Sequence, residues 1–175
     1  MKVVVISASP RVNSVTQIPM KFVYEHILST NMEVELINLA EHNIECFRGF
    51  GVQYNEDTLR AAKLITDADI WIVGTPIYNS FFSGALKNLF EYVNYKSTAG
   101  KVAGIAILAS GNIGFTDVQT LLTQLLNYFQ VITNPKAVYM TTKDIVNGVV
   151  DETTQDRLKQ MVDDTLLLAH KVRET

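Results

Sequence analysis

Within residues 7–16 the chain places Ser7, Ser9, Ser14 and Thr16 around Arg11. Hydroxyls donate hydrogen bonds, and a guanidinium offers a fork of charged donors. Together they could hold a phosphate. The stretch lies between an apolar run, Val3-Val4-Val5-Ile6, and a segment with helical spacing from Gln17 onward. A turn from a buried strand into a helix also offers free backbone N–H groups and the positive end of the helix dipole to an anion. The plainer reading is an ordinary strand–helix turn with Ser14 as N-cap.

Two further turns carry unusual chemistry. Residues 75–88 read Thr-Pro-Ile-Tyr-Asn-Ser-Phe-Phe-Ser-Gly-Ala-Leu-Lys-Asn. Pro76 stiffens the backbone, and Tyr78, Phe81 and Phe82 bring flat apolar surface, which suits a planar ring with polar edges. One or both phenylalanines also suit the core or a subunit interface, and Lys87 and Asn88 suit a helix's polar side. Residues 110–114, Ser-Gly-Asn-Ile-Gly, form a glycine-rich turn that a ligand could approach closely, and its N–H groups precede a helix.

The elements that must position these turns follow from periodicity. Strands are predicted over 2–6, 33–39, 70–73, 102–109 and 137–140. Helices are predicted over 17–28, from an Asn55 cap to about 68, over 84–94 and 116–129, and from 151 to near 173. Residues 75–83 are expected as one long turn. Strand and helix alternate throughout, which is the pattern of a doubly wound α/β sheet. The predicted fold is a flavodoxin-like five-stranded parallel sheet of order 2-1-3-4-5, helices on both faces, in a single domain over 1–175. In that order the first, third and fourth strands are neighbours. Their three turns would then line one crevice at the carboxyl edge of the sheet, where such folds bind ligands.

Other chemistries are poorly served. No Gly-Lys-Ser/Thr follows the first turn, so it is not a Walker A loop. The lone Gly49-Phe50-Gly51 follows no strand, so a dinucleotide fingerprint is lacking. His26, His42 and His170 are scattered, and Cys46 is the only cysteine, which leaves no metal constellation, catalytic triad or intrachain disulfide. At a net charge of -3 and without a Lys/Arg cluster, the chain is not built for general nucleic-acid binding. No apolar run reaches the ~18 residues of a membrane span, and the first residues read as a strand rather than a signal. A cytoplasmic protein with no membrane partner is the expectation.

Ser9-Pro10-Arg11 with Ser14, then Thr-Pro-Ile-Tyr-Asn with Ser-Gly-Ala-Leu-Lys-Asn, then Ser-Gly-Asn, resembles the NAD(P)H-dependent FMN reductase family over about three quarters of the chain. The segment 83–87 is most similar to the reductases of two-component alkanesulfonate monooxygenases. Ala8 stands where many relatives have glycine, and Ser83 where the wider family has proline. The resemblance implies an FMN phosphate held by Ser9, Arg11, Ser14, Val15 and Thr16. It implies a flavin ring bordered by Pro76, Ile77, Tyr78, Asn79 and Ser80, with its pyrimidine side near Ser110, Gly111 and Asn112. It also implies an oligomer, dimer or tetramer, and a possible flavin-dependent monooxygenase partner.

The function so implied is hydride transfer from NADPH or NADH to flavin N5 and on to free flavin, a quinone, an azo compound or a metal ion. No side-chain acid, base or nucleophile is then needed, because the cofactor carries the chemistry. Two alternatives stay open: a non-enzymatic FMN electron carrier of the flavodoxin kind, and a nucleotide-binding domain without redox function. Phe81 and Phe82, with Leu89, Phe90 and Tyr92 on the following helix, are expected to supply the oligomer surface.

Overall fold

The computed structural model describes residues 1–174. In chain order the main elements are β1 (Lys2–Ser7), α1 (Gln17–Ser29), β2 (Glu33–Asn38), α2 (Glu56–Asp67), β3 (Ile70–Tyr78), β4 (Phe81–Phe82), α3 (Gly84–Glu91) and β5 (Val102–Ala109). They continue with α4 (Phe115–Tyr128), β6 (Ile132–Thr133), β7 (Val138–Thr141), β8 (Ile145–Val146), β9 (Val149–Val150) and α5 (Glu152–Arg173). Parallel pairing runs β2-β1-β3-β5, and β5 then pairs with β6 and β7 along its other edge. This is the expected order, with the fifth strand in two pieces.

The split has a local cause. Pro135 has no N–H to give a ladder. Asn134 instead donates its backbone N–H to the Ala103 carbonyl at 2.7 Å and its side chain to Thr165 Oγ1 at 3.0 Å. The segment is pinned there and rejoins β5 at Val138.

Alternation along each strand sorts side chains to the two faces. Val3, Val5, Ile70 and Ile72 pack under α1 and α5, with Met20, Val23, Ile27, Leu158 and Met161. Val4, Ile6, Trp71 and Val73 pack under α2, α3 and α4, with Ile65, Leu86, Phe90 and Leu122. The Trp71 indole N–H, fully buried, donates to the Ile65 carbonyl at 2.8 Å. Caps fix the helix ends: Asn55 accepts the Thr58 N–H at 2.8 Å, and Asp151 accepts the Thr154 N–H at 3.1 Å.

Two predicted boundaries move. β3 does not stop at Val73 but runs to Tyr78, pairing with β5 as far as Pro76↔Leu108. It then reverses through Asn79 and Ser80, at φ 49° and 64°, so that Tyr78 faces Phe81 and Ile77 faces Phe82. Two consecutive positive φ values make the tight turn that suits the strand twist. The expected long turn is therefore a hairpin. A second hairpin, β8–β9, turns through Asn147 and Gly148 and pairs Ile145 with Val150.

The connection over 41–54 is fastened to α3. Asn88 accepts the Phe47 N–H at 2.9 Å and donates to the Glu45 carbonyl at 2.8 Å, so it is more than a polar helix face. The Tyr92 hydroxyl donates to the same carbonyl at 2.8 Å. Burial, with Tyr54 and Glu45 alongside, pushes that phenol up to about 12.

Candidate functional site

The three turns meet. A cleft of about 710 Å³ opens at the carboxyl edge of the sheet, walled by Arg11, Ser14, Val15 and Thr16 from the first turn. Pro76, Ile77, Tyr78 and Asn79 form the β3 wall, and Ser110 comes from the turn after β5. The sequence pattern brings them together because β1, β3 and β5 are adjacent and parallel, so their following turns leave the same edge.

On the first turn, Ser14 does not cap α1. Thr16 occupies the N-cap position, and its N–H donates to Ser14 Oγ at 3.3 Å. Thr16 lines the cleft, and its buried hydroxyl has no hydrogen-bond partner among the described residues. Arg11 is exposed and forms no ion pair among the described residues. A free cation and an unpartnered buried hydroxyl thus stand on one wall, and both can engage an oxyanion.

Not every expected residue reaches that wall. Ser9 is fully buried behind it: its hydroxyl lies 2.7 Å from the Tyr78 phenol and accepts the Arg11 N–H at 3.3 Å. Ser80 sits exposed at the tip of the hairpin. Gly111 and Asn112 line a neighbouring cleft of about 620 Å³ that shares Ser110 with the first. Conversely, Asn13, Leu108, Ala109 and Thr142 line the main cleft without having been singled out. Asn13 adopts φ 57°, an αL turn conformation that asparagine tolerates well. Thr142 follows β7, and nothing local in its sequence marks it.

The expected aromatic surface is also redistributed. Phe82, Leu89 and Phe90 are core residues. Phe81 stays 46% exposed and Tyr92 half-buried. Phe50, Tyr95 and Tyr128, from three other elements, are exposed, and the Tyr95 and Tyr128 rings lie 5.8 Å apart. No helix among the described residues is long and apolar enough to cross a membrane, and no group of three metal-ligating side chains occurs among them.

A parallel sheet of this order, with a hydroxyl-rich turn and a ring-sized cleft at its switch point, defines a flavodoxin-like α/β protein. The chain belongs to the NADPH-dependent FMN reductase family, whose model matches residues 1–145. It is 28% identical over 133 residues to an NAD(P)H-dependent FAD/FMN reductase of Geobacillus thermodenitrificans, covering 74% of this chain and 72% of that protein. It is 25% identical over 170 residues to the NADH-dependent FMN reductase SfnF of Pseudomonas putida, covering 93% and 89%. The apo crystal structure of the NADH:FMN oxidoreductase EMOB superposes with a TM-score of 0.80 at 22% identity, over 95% of this chain and 88% of that one. Family membership makes the chain an FMN-dependent NAD(P)H oxidoreductase.

Proposed function

We propose that FMN lies in the main cleft with its phosphate on the first turn and its ring against the β3 hairpin, the whole chain acting as one FMN-binding domain. The observation that carries this is Thr16. A buried hydroxyl without a partner costs about 1–3 kcal/mol, and a phosphate oxygen at the helix N-terminus would satisfy it. Arg11 supplies the charge, Ser14 and Val15 the adjoining wall, and Ser9 stands behind as a support for Tyr78. Pro76, Ile77, Tyr78 and Asn79 would flank the ring, with Ser80 closing the hairpin. Ser110, Gly111 and Asn112 would meet the ring's pyrimidine side.

FMN, when bound, would supply hydride acceptance at N5 and would pass the two electrons on to an acceptor, as hydride or one at a time. The protein's own work is placement: the chain offers no side-chain acid, base or nucleophile at the cleft wall beyond hydroxyls and Arg11. The cleft is open to solvent, so a nicotinamide and an acceptor can reach the same ring face in turn. The acceptor is a free flavin, a quinone, an azo compound or a metal ion. A flavin-dependent monooxygenase supplied with flavin by this chain is the partner suggested by the likeness over 83–87. We also assign a homo-oligomer, dimer or tetramer, supported by the exposed rings of Phe81, Phe50, Tyr95 and Tyr128.

Anaerobic titration of the FMN-loaded protein with NADPH and with NADH tests the reading. Bleaching of the flavin's visible band at stoichiometric nucleotide supports it. Failure of the protein to take up FMN, or FMN uptake without bleaching by either nucleotide, overturns it.

A further inference from the structure

The second cleft has a chemistry of its own. It adjoins the first through Ser110, and its floor is the stacked pair Phe115 and Tyr139, with ring centroids 5.0 Å apart and planes at 16°. Lys143 and Arg157 stand on its wall, from the turn after β7 and from α5. Neither forms an ion pair among the described residues. The one carboxylate lining the cleft, Asp144, is turned to the backbone: it accepts the Thr141 N–H at 2.6 Å and the Thr141 hydroxyl at 3.3 Å. Arg157 gives one Nη2 hydrogen bond to the Tyr139 carbonyl at 2.8 Å, which fixes the guanidinium at the cleft and leaves donors free. Lys143 makes no side-chain hydrogen bond among the described residues. Two cations around one aromatic floor, with the local acid already engaged, form a receptor for an oxyanion attached to a flat group.

We propose that Lys143 and Arg157 form an anion subsite that holds the phosphate or sulfonate of a substrate whose reactive end lies in the main cleft. This rests on the placement of FMN in that cleft, which the second cleft adjoins at Ser110. The oxyanion has two sources of the same chemistry: the 2′-phosphate of NADPH, and the sulfonate of an aromatic acceptor. In the first case the two residues set the preference for NADPH over NADH. Arg157 lies beyond residues 1–145 that the family model covers, whereas Lys143 lies within them.

The test is equilibrium binding to the FMN-loaded protein, read from the flavin absorbance, with NADP⁺, NAD⁺ and naphthalene-2-sulfonate as probes. Lys143→Ala and Arg157→Ala are compared with Lys143→Arg, which keeps the charge. At exposed positions each lost charge is expected to weaken NADP⁺ about five- to tenfold while NAD⁺ is unchanged, and Lys143→Arg is expected to restore most of it. Loss confined to the sulfonate supports the subsite and assigns it to the acceptor. Unchanged affinity for both anionic probes, or equal weakening of NAD⁺, overturns the proposal. FMN affinity and bleaching by NADH, measured on the same variants, are expected to persist. Their absence in the unmodified protein would instead strike the placement of FMN itself.

Discussion

The Ser9 hydroxyl and the Tyr78 phenol lie 2.7 Å apart, joining the first turn to the end of β3 across 69 residues of sequence. Ser9 is fully buried and also accepts the Arg11 N–H, so one hydroxyl ties together the backbone of the first turn and Tyr78 of the β3 wall. The pair links the two segments behind the cleft wall.

Tyr78→Phe removes that link and keeps the ring. Loss of one part-buried hydrogen bond is expected to lower stability by about 0.5–1.5 kcal/mol, seen as an earlier urea midpoint, and to weaken FMN a few-fold. Turnover at saturating FMN should be nearly unchanged, because the phenol holds the wall and does no proton transfer. A wild-type midpoint together with wild-type FMN affinity would show that the link positions nothing.

Arg11→Ala removes the one cation lining the main cleft, where the proposed phosphate would lie. A charge-assisted contact is worth about 1.5–3 kcal/mol, roughly ten- to hundredfold in affinity. Fluorescence titration is expected to show that loss in FMN binding, with little change in the rate of FMN-saturated protein. An unchanged dissociation constant removes Arg11 from the site.

If nicotinamide and acceptor share the one open cleft as proposed, initial rates over a grid of NADPH and quinone concentrations are expected to give parallel reciprocal plots, the ping-pong pattern. Intersecting plots, with FMN shown to stay bound, would mean separate sites.

Gly104→Ala tests the close approach of α5 to the middle of the sheet. A Cβ there would fall 2.5 Å from Met161 Sδ, 2.7 Å from Thr165 Oγ1 and 3.2 Å from Ile72 Cδ1. Overpacking of this kind costs about 1–3 kcal/mol, and thermal unfolding should report a clearly lowered midpoint. A wild-type midpoint would mean that α5 shifts freely.

Asp151 sets one pH dependence. Its hydrogen bonds with Thr154 hold the carboxyl below the usual carboxylate range. A lowered folded-state value means that the cap's contribution is complete above the ordinary value and is lost as pH falls through the folded one. Unfolding by urea across the acid range should therefore show a loss that Asp151→Asn, which keeps an accepting oxygen, makes smaller, the rest coming from groups such as Asp67 and Asp164 that are lowered in the same way. Identical pH profiles for the two proteins would exclude the cap as its source.

Strand–helix alternation, the neighbouring first, third and fourth strands and the three chemically marked turns were legible in the sequence, because each follows from short-range signals. Apolar runs make buried strands, hydroxyl and glycine runs make turns, and a parallel connection needs a helix. The continuation of β3 to Tyr78 was hidden because Pro76 reads as a breaker. Its missing N–H is tolerated near the end of the β3–β5 ladder. Thr142 and the Lys143–Arg157 pair carried no signal, since they become neighbours only when α5 packs back across the sheet. The same limit applied to the aromatics. Phe81 and Phe82 are adjacent and alike in type, yet β4 turns one to solvent and one into the core. Local sequence states what each residue prefers; which partner it meets across the fold depends on how distant elements pack, and so the cleft's width and its charged annex were decided only by the tertiary structure.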